Sequence, residues 1–121
     1  DAQTSVYVVR KSGAGAQVLA LDGGADEITM PTDAIWSFHI LLVGSESNAA
    51  ARAAFEITGL AENSTGAVTV IATNVTVISN VPGWANPTVT ASGSDFRITS
   101  NAGANTVRWV ARVETSEVIF P

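Results

Sequence analysis

Few residues of this 121-residue chain have the chemistry of a catalytic or metal site. The chain has one histidine and no cysteine, so thiolate chemistry and disulfides are excluded. The histidine, His39, lies inside the most apolar segment, which favours a packed or interface histidine over a catalytic base. A zinc site would have to be built almost entirely from carboxylates. We therefore predict no catalytic residue, no metal site and no cofactor.

Two groups of carboxylates have alternative interpretations. One surrounds a glycine turn and consists of Asp22, Asp26 and Glu27. Its oxygens could bind calcium, but the spacing matches no EF-hand, and turn formation is the favoured interpretation. The acids available for a glycoside hydrolase pair are Asp95, Glu114 and Glu117. We interpret these as acids on the solvent side of edge strands, and we predict a non-enzymatic protein.

Trp84 and Asn86 are the best candidates for ligand binding. They lie in a loop in which two prolines, Pro82 and Pro87, fix the backbone. An aromatic ring beside amide side chains suits stacking against a sugar. A tryptophan that closes the end of a sandwich explains the same residues equally well, so both interpretations stay open.

Composition argues against several classes of partner. The net charge of −5 disfavours nucleic acid and anionic membranes, which call for basic clusters. No apolar run approaches the roughly 20 residues of a membrane-spanning helix. Only 14% of the residues are charged, which suggests a surface that is neutral or hidden in an assembly. The first residue, Asp1, begins no signal peptide, and we expect a mature product or a piece of a longer polypeptide.

Alternation of apolar and polar residues predicts strands along most of the chain. In the last strand, residues 106–114, Val107 and Trp109 face inward while Arg108 and Arg112 face solvent. Other strands are predicted at 5–10, 17–21, 27–30, 34–43, 88–91 and 95–99. This spacing, with turns between the strands, predicts an all-β fold: one antiparallel β-sandwich or jelly-roll-like domain over residues 1–121.

Two segments are harder to assign. Residues 34–43 are apolar on both faces, which indicates cover on both sides, within a sandwich or by a neighbouring subunit. Residues 48–56 have the alanines of a helix and Asn48 as a possible cap. Their alternation, with Phe55 on the apolar side, favours a strand that closes at Gly59, and this is our prediction.

Residues 63–94 contain no charged side chain. Within them Val-Thr-Val-Ile occurs at 68–71 and again at 75–78, which predicts two strands, or one strand broken by a bulge at Asn74. Uncharged strands of this kind aggregate when they are left at an open edge. We therefore predict that this segment is hidden in a sheet or in a subunit interface, and we name Val70, Ile71, Val77 and Ile78 as candidate interface residues.

Four blocks carry a resemblance to a known family: residues 34–38, 52–59, 75–84 and 105–118. In order and spacing they resemble a small β domain near the C-terminus of tail fibre, tail spike and related structural proteins of tailed bacteriophages. The resemblance implies a virion structural protein, a homotrimer exposed at a fibre tip or particle surface. It implies contacts with other virion proteins and with a host glycan, and it carries over no catalytic residue. The alternative is a capsid decoration protein that binds the phage head lattice.

Overall fold

The computed structural model describes residues 2–47 and 50–119. In these residues there are nine strands: β1 (Ala2–Gly13), β2 (Ala16–Val18), β3 (Ile28–Thr29), β4 (Ala34–Glu46), β5 (Arg52–Asn63), β6 (Val68–Asn80), β7 (Ala85–Ser92), β8 (Asp95–Asn101) and β9 (Val107–Ile119). All strand pairs are antiparallel, and the all-β prediction is confirmed. Within this part of the chain no helix is long and apolar enough to cross a membrane.

Five long strands form one sheet in the order β1-β9-β4-β5-β6. We call it the long sheet. Strand β4 pairs over nearly its whole length with β5 on one side and with β9 on the other. The predicted final strand is therefore an internal element of the sheet, next to the most apolar strand.

The remaining strands form a short sheet around β8. Strand β7 pairs with one edge of β8, while β2 and β3 pair with different ends of the other edge. The short sheet packs on the inner face of the long sheet, where the Phe96 ring lies 5.7 Å from Trp36 and 4.9 Å from Phe38 between ring centroids. These contacts join the two sheets into a sandwich.

The core lies between the sheets and follows the period-two alternation of the long strands. On β9, Val107, Trp109, Ala111 and Val113 are all buried. On β4 the buried positions include Trp36, Phe38, Ile40 and Leu42. Full burial of such side chains stabilises the fold by roughly 1.5–3 kcal/mol each.

The outer face of the long sheet, which we call the open face, is not covered by the described residues. Six of its large apolar side chains are 40–54% exposed: Val6, Val8, Leu41, Val43, Val110 and Val118. The segment 34–43, predicted to be covered on both sides, is thus covered on one side within this chain. The structure contains no second subunit that would test cover on the other side.

Two predictions about strand ends and breaks are wrong in detail. Strand β5 continues through Gly59 to Asn63, and strand β6 is continuous at Asn74. The register of β5 and β6 shifts instead at two places, where Ile71 and Ile78 are the extra residues of β6. Of the strand predicted at 48–56, residues 52–56 form a strand, while residues 50 and 51 form a bend before it. Residues 48 and 49 lie outside the described part of the chain.

Candidate functional site

The predicted ligand-binding tryptophan is a packed residue. Trp84 is 7% exposed, and its ring contacts Trp109 edge to face with centroids 5.5 Å apart. Its indole N–H has no hydrogen-bond partner among the described residues. Sugar stacking on this ring would therefore require Trp84 to leave the core, so the packing interpretation accounts for the position it occupies here.

Asn80 fixes the backbone around Trp84. Its side-chain amide donates to the Trp84 carbonyl at 2.7 Å, and its oxygen accepts from the Trp84 N–H at 3.0 Å. Asn86 lies outside these two hydrogen bonds, in an exposed position on β7. The structure therefore separates the two predicted ligand residues, with Trp84 in the core and Asn86 at the surface.

The predicted interface residues all lie on β6, an edge strand of the long sheet. Ile71, Val77 and Ile78 are 47–59% exposed, and Val70 packs partly against the core. Ile71 and Ile78 are the two bulged residues, so their side chains leave the regular alternation of the strand. No partner chain is present, and their role in an interface stays a prediction.

The three acids of a possible hydrolase pair are distributed over different surfaces. Asp95 accepts a hydrogen bond from Thr29 on the short sheet, and Glu114 accepts one from Arg112 on the open face. Glu117 points to the inner face and is 3% exposed. A hydrolase needs two carboxylates that flank one bond, and these positions do not provide that arrangement.

The carboxylates near the glycine turn have structural partners. Asp22 accepts hydrogen bonds from the backbone N–H groups of Gly24 at 2.8 Å and Asp26 at 3.2 Å. The bond from Gly24, more than any other contact, lowers the pKa of Asp22. Glu27 makes a bidentate ion pair with Arg97, at 2.8 and 2.9 Å. In residues 2–47 and 50–119 no group of three or more acids and histidines could hold a metal ion.

His39 lies on the open face and not in the core. Its Nε2 lies 2.7 Å from Oε2 of Glu56, and Glu114 is its direct cross-strand neighbour on β9. Its side chain is 39% exposed. The prediction of a packed histidine is therefore wrong, and the interface alternative stays untested.

One feature of the open face could not be derived from the sequence. Four residues are direct cross-strand neighbours in one line across the sheet: Ser12 on β1, Arg108 on β9, Ser45 on β4 and Arg52 on β5. We call this line the arginine row. Arg108 and Arg52 each lie on the polar side of a predicted strand, but the pairing of β9 with β4 brings together residues far apart in sequence. The two arginines align only through the register of β9 with β4 together with that of β4 with β5.

Comparison with known proteins gives only distant structural similarities. No protein-family model matches the chain, and no curated protein gives a significant match. Among solved structures the chain is similar to a tailspike protein of the Acinetobacter baumannii bacteriophage Fri1, a capsular polysaccharide depolymerase, with a TM-score of 0.46, 14% identity, and coverage of 95% of this chain and 17% of that one. It is also similar to the tailspike protein of the Acinetobacter baumannii phage AM24, with a TM-score of 0.43, 13% identity, and coverage of 93% of this chain and 26% of that one. The chain thus spans about a sixth and about a quarter of these two tailspike chains.

Proposed function

We propose that this chain is a non-enzymatic β module of a phage tail fibre or tail spike, which assembles as a homotrimer and attaches the virion to a glycan of the host surface. The observation that carries the proposal is strand β6. It is a 13-residue edge strand without a charged side chain, and it exposes large apolar residues to solvent. The four sequence blocks that resemble tail fibre and tail spike domains support the same function.

A strand such as β6 needs a partner. Soluble β proteins protect long edge strands with lysines, prolines or short length, and β6 has none of these three devices. Its two bulges limit regular pairing, but they also expose Ile71 and Ile78. Burial of these side chains against another copy would remove apolar surface from water and would cover the edge.

The apolar residues of the open face support assembly as well. Five valines and Leu41, all about half exposed, are spread over β1, β4 and β9, and two of them, Val43 and Val110, are direct cross-strand neighbours. Exposed apolar patches on soluble proteins mark interaction sites. A virion protein that works as a trimer would bury part of this face and would leave loops such as 81–84 at its periphery for contact with the host.

Sedimentation equilibrium of the isolated domain over a range of concentrations tests the assembly. We expect a stable trimer, and we expect the Ile71→Lys and Ile78→Lys variants to be folded monomers, because a buried lysine without a partner would oppose association. Val81→Lys is the matched control, since Val81 is a loop residue that is 92% exposed. Lysine variants of β6 that stay trimeric would contradict the role of β6.

A monomeric wild-type protein would favour the alternative, a capsid decoration protein, and binding to empty phage heads would then be measured. Enzymatic activity is tested separately by prolonged incubation of the pure domain with host polysaccharide. We expect the chain length of the polysaccharide to stay constant, and a decrease would contradict the non-enzymatic proposal.

A further inference from the structure

The basic residues of this acidic chain are concentrated at one end of the open face. Of the six lysines and arginines, Arg52 and Arg108 lie in the arginine row, and Arg10 lies one outward position further along β1. No carboxylate occupies an outward position of the long sheet in these two rows. Glu46, next to Ser45, alternates onto the opposite face. The protein therefore has a local positive surface despite its net charge of −5.

The two arginines of the row are available for a ligand. The guanidinium groups of Arg52 and Arg108 make no hydrogen bond or ion pair with another described residue, and both residues are exposed. Arg112, on the same face, is different because its guanidinium contacts Glu114 at 3.0 Å. Arg10 is also engaged, since it donates to the backbone carbonyls of Leu21 and Asp22.

The strand spacing sets the distances between the residues of the row. Arg52 and Arg108 stand on strands separated by β4, so their Cα atoms are roughly 10 Å apart, at about 4.8 Å per strand spacing. Ser45 lies between them, and Ser12 flanks Arg108 on the other side. Guanidinium groups alternate with hydroxyl groups along this line. The hydrogen-bonded sheet fixes the backbone positions of all four residues, so only their side chains have to be ordered on binding.

Shallow cavities lie at both ends of the row. One, of about 200 Å³, is lined by residues of β1 and β9 and by the turn at Gly23; its basic residues are Arg10, Lys11 and Arg108. Another, of about 200 Å³, is lined by Val43, Arg52, Ala53, Ala54 and Ser79. A ligand that crosses the strands along the row would enter a concave surface on each side.

The chemistry of the row fits an acidic glycan. Arginine binds a carboxylate through two parallel hydrogen bonds. The Ser45 hydroxyl donates to the Glu46 carbonyl at 3.0 Å and can still accept a hydrogen bond from a sugar hydroxyl. Single-stranded nucleic acid would call for exposed aromatic rings on which bases stack. The three tryptophans are at most 7% exposed, so the row offers charge and hydroxyl groups without such rings.

We propose that the arginine row binds a carboxylate-bearing polysaccharide, with Arg52 and Arg108 as its two carboxylate ligands. This inference rests on the attachment function proposed above and names the class of glycan and its site. Assembly of the chain into a trimer would not bury the row. Guanidinium groups cannot be buried against one another without an anion, so this end of the open face either stays in solvent or meets an acidic partner.

Binding of three polymers to the assembled wild-type protein at low salt tests the proposal: alginate, which carries carboxylates, dextran, which is neutral, and oligothymidylate, which carries phosphates. We expect binding to alginate and none to dextran. Arg52→Gln and Arg108→Gln should each weaken alginate binding about tenfold or more, because each removes a charge-assisted contact. Arg112→Gln is the matched control, and its affinity should stay within about twofold of wild type, because Arg112 lies outside the row and the Glu114 carboxylate beside it offsets its charge.

Three results of the polymer assay would each overturn the proposal: no alginate binding by the wild type, unchanged binding by the Arg52→Gln/Arg108→Gln protein, or oligothymidylate binding as tight as alginate binding. Sedimentation and attachment to host cells are measured on the same variants. If the doubly substituted protein stays trimeric and still attaches to cells, the row is not the glycan site, and the attachment function itself is unaffected.

Discussion

Gly59 lies directly opposite Phe38 in the ladder between β4 and β5, and the Phe38 ring occupies the space that a β carbon on residue 59 would need. The backbone carbonyl of Ala72 on β6 closes the same space from the other side. The glycine is thus required by packing and not by an unusual backbone angle. Because both neighbours belong to the core sheet, neither can move without a shift of its strand.

We expect Gly59→Ala to destabilise the protein by about 1–3 kcal/mol or more, the usual cost of forcing extra atoms into a packed core. The free energy of unfolding in urea measures this. Gly24→Ala is the control, because its β carbon would come no closer than 3.4 Å to Asp22 and would make an ordinary contact. Equal stability of the two variants would show that the β4–β5 ladder adapts to the methyl group.

A second prediction concerns the contact of Trp84 with Trp109. Loss of the indole in Trp84→Ala would leave a cavity against a fully buried partner, and we expect a cost of about 3–5 kcal/mol. Asn86→Ala, at an exposed position in the next strand, should change stability by less than about 0.5 kcal/mol. Urea denaturation again measures both. A small effect of Trp84→Ala would indicate a ring that is free to leave the core and would revive its role in sugar binding.

Much of the fold could be predicted because strand periodicity is local. The alternation at residues 107–113 and 34–43 identified the two central strands of the long sheet, and the uncharged stretch at 63–94 contains its edge strand β6. The ends of two strands were predicted too early, because a glycine was interpreted as the end of the strand. Gly59 and Gly44 both lie inside strands, because a neighbouring aromatic ring takes the place of their side chains.

The burial of Trp84 and the arginine row could not be predicted, because both depend on which strands pair with each other, and local sequence patterns do not reveal this. The burial of Trp84 follows from Trp109, which is 25 residues away and reaches it only because β9 lies inside the long sheet. The arginine row has the same origin, since Arg52 and Arg108 align through the register of two separate ladders. Local alternation placed each arginine on a polar face but could not place them in one line.

The turn at Asp22 leads to a prediction about pH. Hydrogen bonds from the Gly24 and Asp26 N–H groups favour the charged carboxylate and hold the pKa of Asp22 below its usual value in the folded protein. A group whose pKa is lowered by folding stabilises the protein above its unfolded pKa, about 3.9, and this contribution is lost as the pH falls through the folded pKa. The stability difference between wild type and Asp22→Ala should therefore be full near pH 6 and should shrink below about pH 4.

The control for this series is Asn86→Ala, which changes no titratable group and should give a stability difference that does not vary with pH. Thermal unfolding at a set of pH values measures both variants. A difference for Asp22→Ala that stays constant, or grows, towards low pH would mean that the carboxylate does not stabilise the turn through its charge.

The last prediction concerns Glu117, whose carboxylate is buried beside a hydroxyl group that has no access to water. Thr115 is 0% exposed and donates to Oε2 of Glu117, while the Gln3 amide donates to Oε1 at 2.8 Å. Glu117→Leu leaves the Thr115 hydroxyl buried without an acceptor, and we expect a cost of about 1–3 kcal/mol. Gln3 lies at an exposed position, so its amide can turn to water.

The double variant Thr115→Val/Glu117→Leu distinguishes a structural hydrogen bond from simple packing. Replacement of both partners removes the unsatisfied hydroxyl together with its acceptor, so the double variant should be more stable than the sum of the two single effects predicts. A double-mutant cycle from urea unfolding gives this coupling directly. Strictly additive effects would show that Thr115 and Glu117 do not stabilise each other, and a carboxylate buried without that support would again be a candidate for chemistry at this end of the sandwich.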